Sequence, residues 1–416
     1  MPVSDVRPAA TAPDVYVARQ PIFGLDGQVE GYELLFRADE ENACTNPDGD
    51  AATLEVISSS LMLFGLERLA HGHRAYIKFT EALLLAAVPT LLPADQVVVE
   101  IPNDVTPSPE LLAACQALRD QGYLLALDGF ALQPNLSPFV ALVDIIKVDV
   151  QELPREKWDA AVGLPTLPGA KFLAQKVETP EEREAAEKAG FHLFQGYFYA
   201  RPNVLSSRNL SAAEVHCLEA FREVSKPDID FDRIADVIKR DVSFSYKLLR
   251  FINSAAIGMR TRIHSIRQAL TLLGQKETAR WLSLVALRDM GRGKPDELMV
   301  TCILRARMGE LLAGPALMRN RSSDLFLLGV FSAIDALVDR PAEEVIRELP
   351  LPEDIQEALL GEPNRIREVL DLILAYESGD WVRFAEWART LGIPESTVPA
   401  IYVDAVAWAH EFLPES

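Results

Sequence analysis

The sequence predicts an α/β domain followed by an all-α domain, and three observations carry that reading. Short apolar runs rich in β-branched and aromatic residues alternate with helix-like stretches through the first half. Near residue 205 the strand signals stop and helical periods take over. A chain of 416 residues is long enough for two or three domains, each with its own core.

The opening segment MPVSDVRPAATAPD lacks the apolar stretch of a signal peptide, so residues 1–13 read as a disordered tail. From 14 to 205 the strand candidates are VYVA at 15, VEGYELLF at 29, AYIKF at 75, VVVEI at 97, YLLAL at 123, VDIIKV at 143, KFLAQKV at 171 and FHLF at 191. Between them, ATLEVISSSLMLFGLERLA and SPELLAACQALRDQG read as helices. Runs that are apolar on both faces and separated by helices read as parallel strands of an α/β barrel or an open sheet. One further helix is strongly signalled: Thr179 caps it, Pro180 fills its first position, Glu182 completes a capping box and Gly190 ends it.

RPNVLSSRNLS joins this half to an all-helical domain over 206–416. There Ile266, Ala269, Leu270 and Leu273 follow helical spacing behind a Ser265/Gln268 capping box, and Trp381, Phe384, Ala385 and Ala388 repeat it.

The formal net charge of -20 excludes a generic nucleic-acid coat, because phosphate binding needs a positive excess, so no nucleic-acid partner is expected. Cys44, Cys115, Cys217 and Cys302 lie far apart with no C-x-x-C pair, which argues against disulfides and a cysteine zinc site. No run approaches the ~18 apolar residues of a membrane span. A cytoplasmic protein without a membrane span is the expectation.

Several apolar runs end in a polar residue: Glu33, Lys78, Glu100, Asp128, Lys147, Asp149, Glu178 and Gln195. If the strands close into a barrel, their C-termini meet at one mouth, where sites are built. Five carboxylates aimed there repel one another unless cations sit among them, either a divalent metal or lysines. The plainer reading is a set of ordinary strand ends meeting water.

In the helical half, His216, His264 and His410 are the histidines, none is followed by Asp, and no H-x-x-x-H pair exists, so no metal centre is expected there. Residues 231–294 hold 13 Lys and Arg against 5 Asp and Glu. That basic stretch reads either as a solvated face or as a docking surface for an acidic partner, including the acidic first half.

Four segments of the first half, VARQPIFGLDGQVEGYELLFR, IIKVD, VETPEE and FQGYFYARP, resemble the EAL domain family of cyclic di-GMP phosphodiesterases, whose fold is a modified (β/α)8 barrel. IADVIKRDVSFSYKLLRFINSAAIG and IHSIRQALTLLGQKETARWLSL resemble the HDOD domain, a helical relative of the HD hydrolases without their metal-binding residues. LFLLGVFSAIDAL and WVRFAEWARTLGI fit bacterial proteins that join the two, the YuxH-like family.

The resemblance implies roles residue by residue. Its E-x-L-x-R signature is Glu33, Leu35 and Arg37, with Leu34 where Ala is usual; the Glu is a metal ligand and Arg37 a candidate phosphate contact. Glu100 and Asp128 match further metal ligands, Lys147 and Asp149 the K-x-D motif, Glu178 the second Glu of A-E-G-V-E, and Gln195 the Gln before a Gly-Tyr pair. Three positions depart from the pattern. Lys78 replaces the metal-binding Asn, Gly129 replaces the second Asp of D-D-F-G, and Gln175 replaces the first Glu of A-E-G-V-E. An ammonium has no lone pair to give a metal. Gly129 offers no carboxylate, and Gln175 cannot serve as a general base, a loss of about 10²–10⁴-fold.

The expectation is a vestigial site with no catalytic residue and no metal cofactor, in which Lys78 pairs with Glu100 and Asp128. The chain would then be a non-enzymatic signalling scaffold of the cyclic di-GMP pathway that meets other signalling proteins through its HDOD domain. The alternatives are a metal-free cyclic di-GMP receptor and a residual phosphodiesterase, the latter requiring Mg or Mn.

Overall fold

Eight strands close into a barrel in chain order: β1 (Tyr16–Phe23), β2 (Val29–Arg37), β3 (Arg74–Lys78), β4 (Val97–Ile101), β5 (Leu124–Leu127), β6 (Ile145–Asp149), β7 (Lys171–Gln175) and β8 (Leu193–Gln195). The structure is a computed structural model that describes residues 16–37, 65–130, 134–201, 229–239, 265–291, 293–349 and 351–412, with scattered neighbours between 219 and 263. The tail 1–13 and the linker RPNVLSSRNLS lie outside the described residues.

All eight apolar runs are strands, but the parallel reading fails at the first. β1 pairs antiparallel with both β2 and β8, whereas every later neighbour is parallel. The cause is local. Between Phe23 and Val29 the chain has room only for a tight reversal, closed by Gly24 N–H donating to Gln28 O at 2.9 Å. A parallel partner needs a crossover of a dozen or more residues. The Asp-Gly pair in GLDGQ carried that hairpin signal.

Ile22, Tyr76, Val98, Ala126, Ile145, Leu173 and Leu193 fill the barrel interior. Around it lie α1 (Pro109–Asp120) and α2 (Pro180–Ala189). Thr179 caps α2 as expected, accepting from Glu182 N at 3.1 Å. Glu182 reaches one residue further than a capping box requires, and its carboxylate accepts from Glu178 N at 2.8 Å.

The described helices of the second half include α3 (Phe231–Lys239), α4 (Ile266–Met290), α5 (Asp296–Leu312), α6 (Ser322–Val330), α7 (Arg365–Ser378), α8 (Trp381–Leu391) and α9 (Val398–Phe412). Ser265 accepts from Gln268 N at 3.5 Å to start α4, and the predicted run ends where Gly274 breaks helical geometry. Among the described residues no helix is long and apolar enough to cross a membrane. Cys115 and Cys302 are buried free thiols; Cys44 and Cys217 lie outside the described residues.

Among the described residues the helical half meets the barrel on β1 and β2, while the described ion pairs of its basic stretch lie elsewhere. Within 231–294 the ion pairs of described residues stay in the helical half, joining Arg267 to Asp232, Arg280 to Glu310 and Lys294 to Asp339. The contact with the barrel is instead buried. Tyr376 donates to Val17 O at 3.1 Å, Arg19 N donates to the Tyr402 hydroxyl at 3.2 Å, and Tyr32 donates to Glu297 at 2.8 Å. Tyr16 packs against Trp381 and Phe384. His410 belongs to this interface: its Nε2 lies 2.8 Å from the Arg19 guanidinium, and its ring stacks on His71. Burial, with Arg19 and two histidines beside it, pushes His410 down to about 2, so its ring is neutral. His216 and His264 lie outside the described residues.

Candidate functional site

Strand geometry brings most of the polar strand ends together. β6 places Lys147 on the barrel axis, where it is fully buried. Its ammonium donates to Glu33 Oε2 of β2 at 2.9 Å and to Glu100 Oε1 of β4 at 2.5 Å, and lies 3.5 Å from Asp128 Oδ1. At the rim, Lys78 ends β3 beside Glu100 in register, yet its half-exposed ammonium turns to Asp128 Oδ2 at 2.5 Å. The expected Lys78–Glu100 pair is therefore replaced by Lys147–Glu100.

Amides complete the cluster. Gln175 Nε2 donates to Asp128 Oδ1 at 2.9 Å. Gln195 Nε2 donates to Glu33 Oε2 at 2.7 Å and to Gln20 Oε1 at 3.1 Å. Thus Glu33, Lys78, Glu100, Asp128, Lys147, Gln175 and Gln195 form one connected unit.

The electrostatics follow from burial and these contacts. Burial, then the neighbouring Glu33 carboxylate, push Glu100 up to about 8, with Lys147 holding it back. Its Oε2 has no hydrogen-bond partner. A protonated carboxyl tolerates that far better than a carboxylate. Burial would raise Asp128, but Lys147 and Lys78 outweigh it and hold the group well below the usual range. Burial opposes charge on Lys147, yet Glu100, Glu33 and Asp128 raise it well above an ordinary lysine. A protonated Glu100 leaves one fewer negative charge on the axis for Lys147 and Lys78 to offset.

Two predicted members stand apart. Asp149 ends β6, where it pairs with Lys176 at 2.5 Å and accepts from Gln151 N at 2.9 Å. Glu178 is exposed, and its backbone N–H is held by Glu182. Arg37, the candidate phosphate contact, is buried and donates to Glu395 of the helical half at 3.2 Å.

Gly129 adopts φ +58, and a Cβ there would lie 2.5 Å from Asn103 Nδ2, which donates to Gly129 O at 3.0 Å. A carboxylate cannot be restored here without moving Asn103. Gly129→Asp is expected to lose about 1–2 kcal/mol in chemical denaturation, from the left-handed backbone and the clash together. Asn103→Ala in the same chain should recover part of that loss, and a neutral Gly129→Asp would contradict the packing.

Asn103, Lys176, Gln20 and Glu395 were missed. Lys176 had a signal, since it stands at the glycine of A-E-G-V-E and adopts φ +58. The other three had none, because only the folded chain brings them to the mouth.

Comparison with known proteins places these observations in context. The family model described as EAL domain matches residues 67–202, and the HDOD domain model matches 213–337. The chain is 36% identical over 407 residues to the uncharacterized protein YuxH of Bacillus subtilis (strain 168), covering 96% of this chain and 99% of that protein. It is 35% identical over 399 residues to the cyclic di-GMP phosphodiesterase CdgJ of Vibrio cholerae serotype O1, covering 95% and 92%. Among solved structures, a calcium/cyclic di-GMP complex of Klebsiella pneumoniae BlrP1 aligns with 24% identity and a TM-score of 0.38, over 47% of this chain and 58% of that chain.

Proposed function

The chain belongs to the family of proteins that join an EAL domain to an HDOD domain, and from that premise we propose that it is a non-hydrolytic component of cyclic di-GMP signalling. The observation that carries the proposal is Lys78, whose ammonium lies 2.5 Å from Asp128 at the rim of the mouth. Metal-assisted phosphodiester cleavage needs oxygen donors that hold cations against the attacking and leaving oxygens. An ammonium in that shell donates hydrogen bonds and ligates nothing. Lys147 and Lys78 already supply the positive charge the carboxylates require, Gly129 adds no carboxylate, and Gln175 is spent as a donor to Asp128. The residues present therefore do not fit a pair of divalent ions.

On this reading the barrel, over about 14–205, is a structural or sensing platform. The helical domain, over about 206–416, meets other signalling proteins in the cytoplasm. A second reading, a cyclic di-GMP phosphodiesterase, is favoured by the full-length similarity to CdgJ and by Glu33, Glu100 and Asp128 staying together around Lys147. The two separate in one assay. Purified full-length protein incubated with cyclic di-GMP and either Mg or Mn is expected to yield no linear dinucleotide above the protein-free control. Metal-dependent product that disappears with Glu33→Gln would establish the second reading.

A further inference from the structure

The helical half roofs the β1–β2 side of the barrel mouth. Glu33, Leu35 and Arg37 alternate onto one face of β2. Glu33 reaches inward to Lys147, and each of the two residues above it meets the helical half. Leu35 lies under the turn between α7 and α8, so close that a Cβ on Gly379 would sit 2.7 Å from Leu35 Cδ1. Gly379 also holds φ +68 there, which a larger residue adopts only with strain. Arg37 Nη1 donates to Glu395 Oε2 at 3.2 Å, with only 8% and 20% of the two side chains exposed, and its guanidinium sits 5.3 Å from the Tyr16 ring centre.

The same turn is also held from within the helical half. Ser378, the last residue of α7, donates to Ala375 O at 3.0 Å. Arg305 fixes the neighbouring residue through two hydrogen bonds to the Glu377 carboxylate, at 3.1 and 2.9 Å.

We propose that the segment from Ser378 to Glu395 is a built-in cap of the mouth, in which the Glu395 carboxylate occupies the Arg37 guanidinium that an anionic ligand entering the mouth would engage. A planar guanidinium pairs with a carboxylate or a phosphate through the same fork, so the two compete. Ligand entry and release of the cap are then one equilibrium, and the helical half reports on it. The ligand class rests on the cyclic di-GMP reading above; the cap itself does not.

The test uses the full chain. Backbone hydrogen exchange at 378–381 and 395–398 is measured for the wild type, Glu395→Gln and Gly379→Ala, each with and without cyclic di-GMP, and affinity is read by calorimetry. Loss of one partly buried ion pair should speed exchange at both segments about five- to tenfold in Glu395→Gln without ligand, and tighten dinucleotide binding by a similar factor. Gly379→Ala, which lifts the turn from Leu35 by a different route, should act in the same direction. Exchange unchanged in both variants overturns the cap, whether or not the dinucleotide binds. Faster exchange with unaltered affinity overturns the competition at Arg37. Faster exchange with no binding by any of the three proteins upholds the cap and overturns the dinucleotide reading.

Discussion

Lys147→Met is expected to destabilise the protein by about 3–5 kcal/mol, the cost of removing one partner from a buried charge cluster. Methionine preserves the apolar stem and much of the volume, so lost packing is minor. What disappears is the ammonium that meets Glu33, Glu100 and Asp128 on the barrel axis. Glu33 would keep Gln195 as a neutral donor, and Asp128 would keep Lys78 and Gln175. Glu33 therefore bears most of the penalty. Urea denaturation at neutral pH reads the loss. Adding Glu33→Gln to the Lys147→Met chain should restore part of it, because the double variant no longer buries an unpaired carboxylate. A loss below about 1 kcal/mol would mean that Lys147 is not the keystone of the centre.

Glu100→Gln should stabilise the protein at alkaline pH and flatten its pH dependence. The Glu100 carboxyl ordinarily titrates at 4.5 and is pushed up to about 8 in the fold. Below pH 4.5 both folded and unfolded chains carry the proton. Between 4.5 and about 8 the unfolded chain has released it while the folded chain keeps it, so stability falls as pH rises. Above about 8 the loss is complete, on the order of 3–5 kcal/mol at ~1.4 kcal/mol per pH unit. Glutamine cannot titrate and keeps an oxygen for Lys147. Asp128 works in the opposite sense: its lowered value adds stability above its ordinary 3.8 that is lost as pH falls. Denaturation curves from pH 4 to 9 should show the wild type weakening across the upper range and Glu100→Gln staying nearly flat. Parallel profiles would show that Glu100 is ionised in the fold throughout.

The sequence carried the barrel further than it carried the site. All eight strands were legible, because each is a short run apolar on both faces between turn residues. The reversal at β1 lies outside that reading: the Asp-Gly of GLDGQ carries a hairpin signal, but all eight runs together read as parallel strands. The cluster around Lys147 followed from strand ends converging at one mouth. Its internal pairing did not, since the choice of Lys78 between Glu100 and Asp128 depends on where Lys147 already sits. Glu178 read as a member and is exposed, because the turn after Lys176 carries it away from the axis.

The contact between the halves was the least legible part. Net charge left the basic stretch over 231–294 open between a solvated face and a docking surface, whereas the described contact is built from Arg19, Tyr32, Tyr376, Tyr402 and His410, each held by a specific hydrogen bond. Arg37 and Glu395 are 358 positions apart, and nothing local to either predicts their pairing.

The account stands on Lys78, an ammonium at the position where the resemblance implies a metal-binding Asn. Manganese titration of the full-length protein, followed by electron paramagnetic resonance, tests it most directly. The account predicts no saturable manganese site at the barrel mouth of the wild type, with spectra unchanged by Asp128→Asn. Saturable binding of two ions per chain, lost in Asp128→Asn or Glu33→Gln, would contradict it.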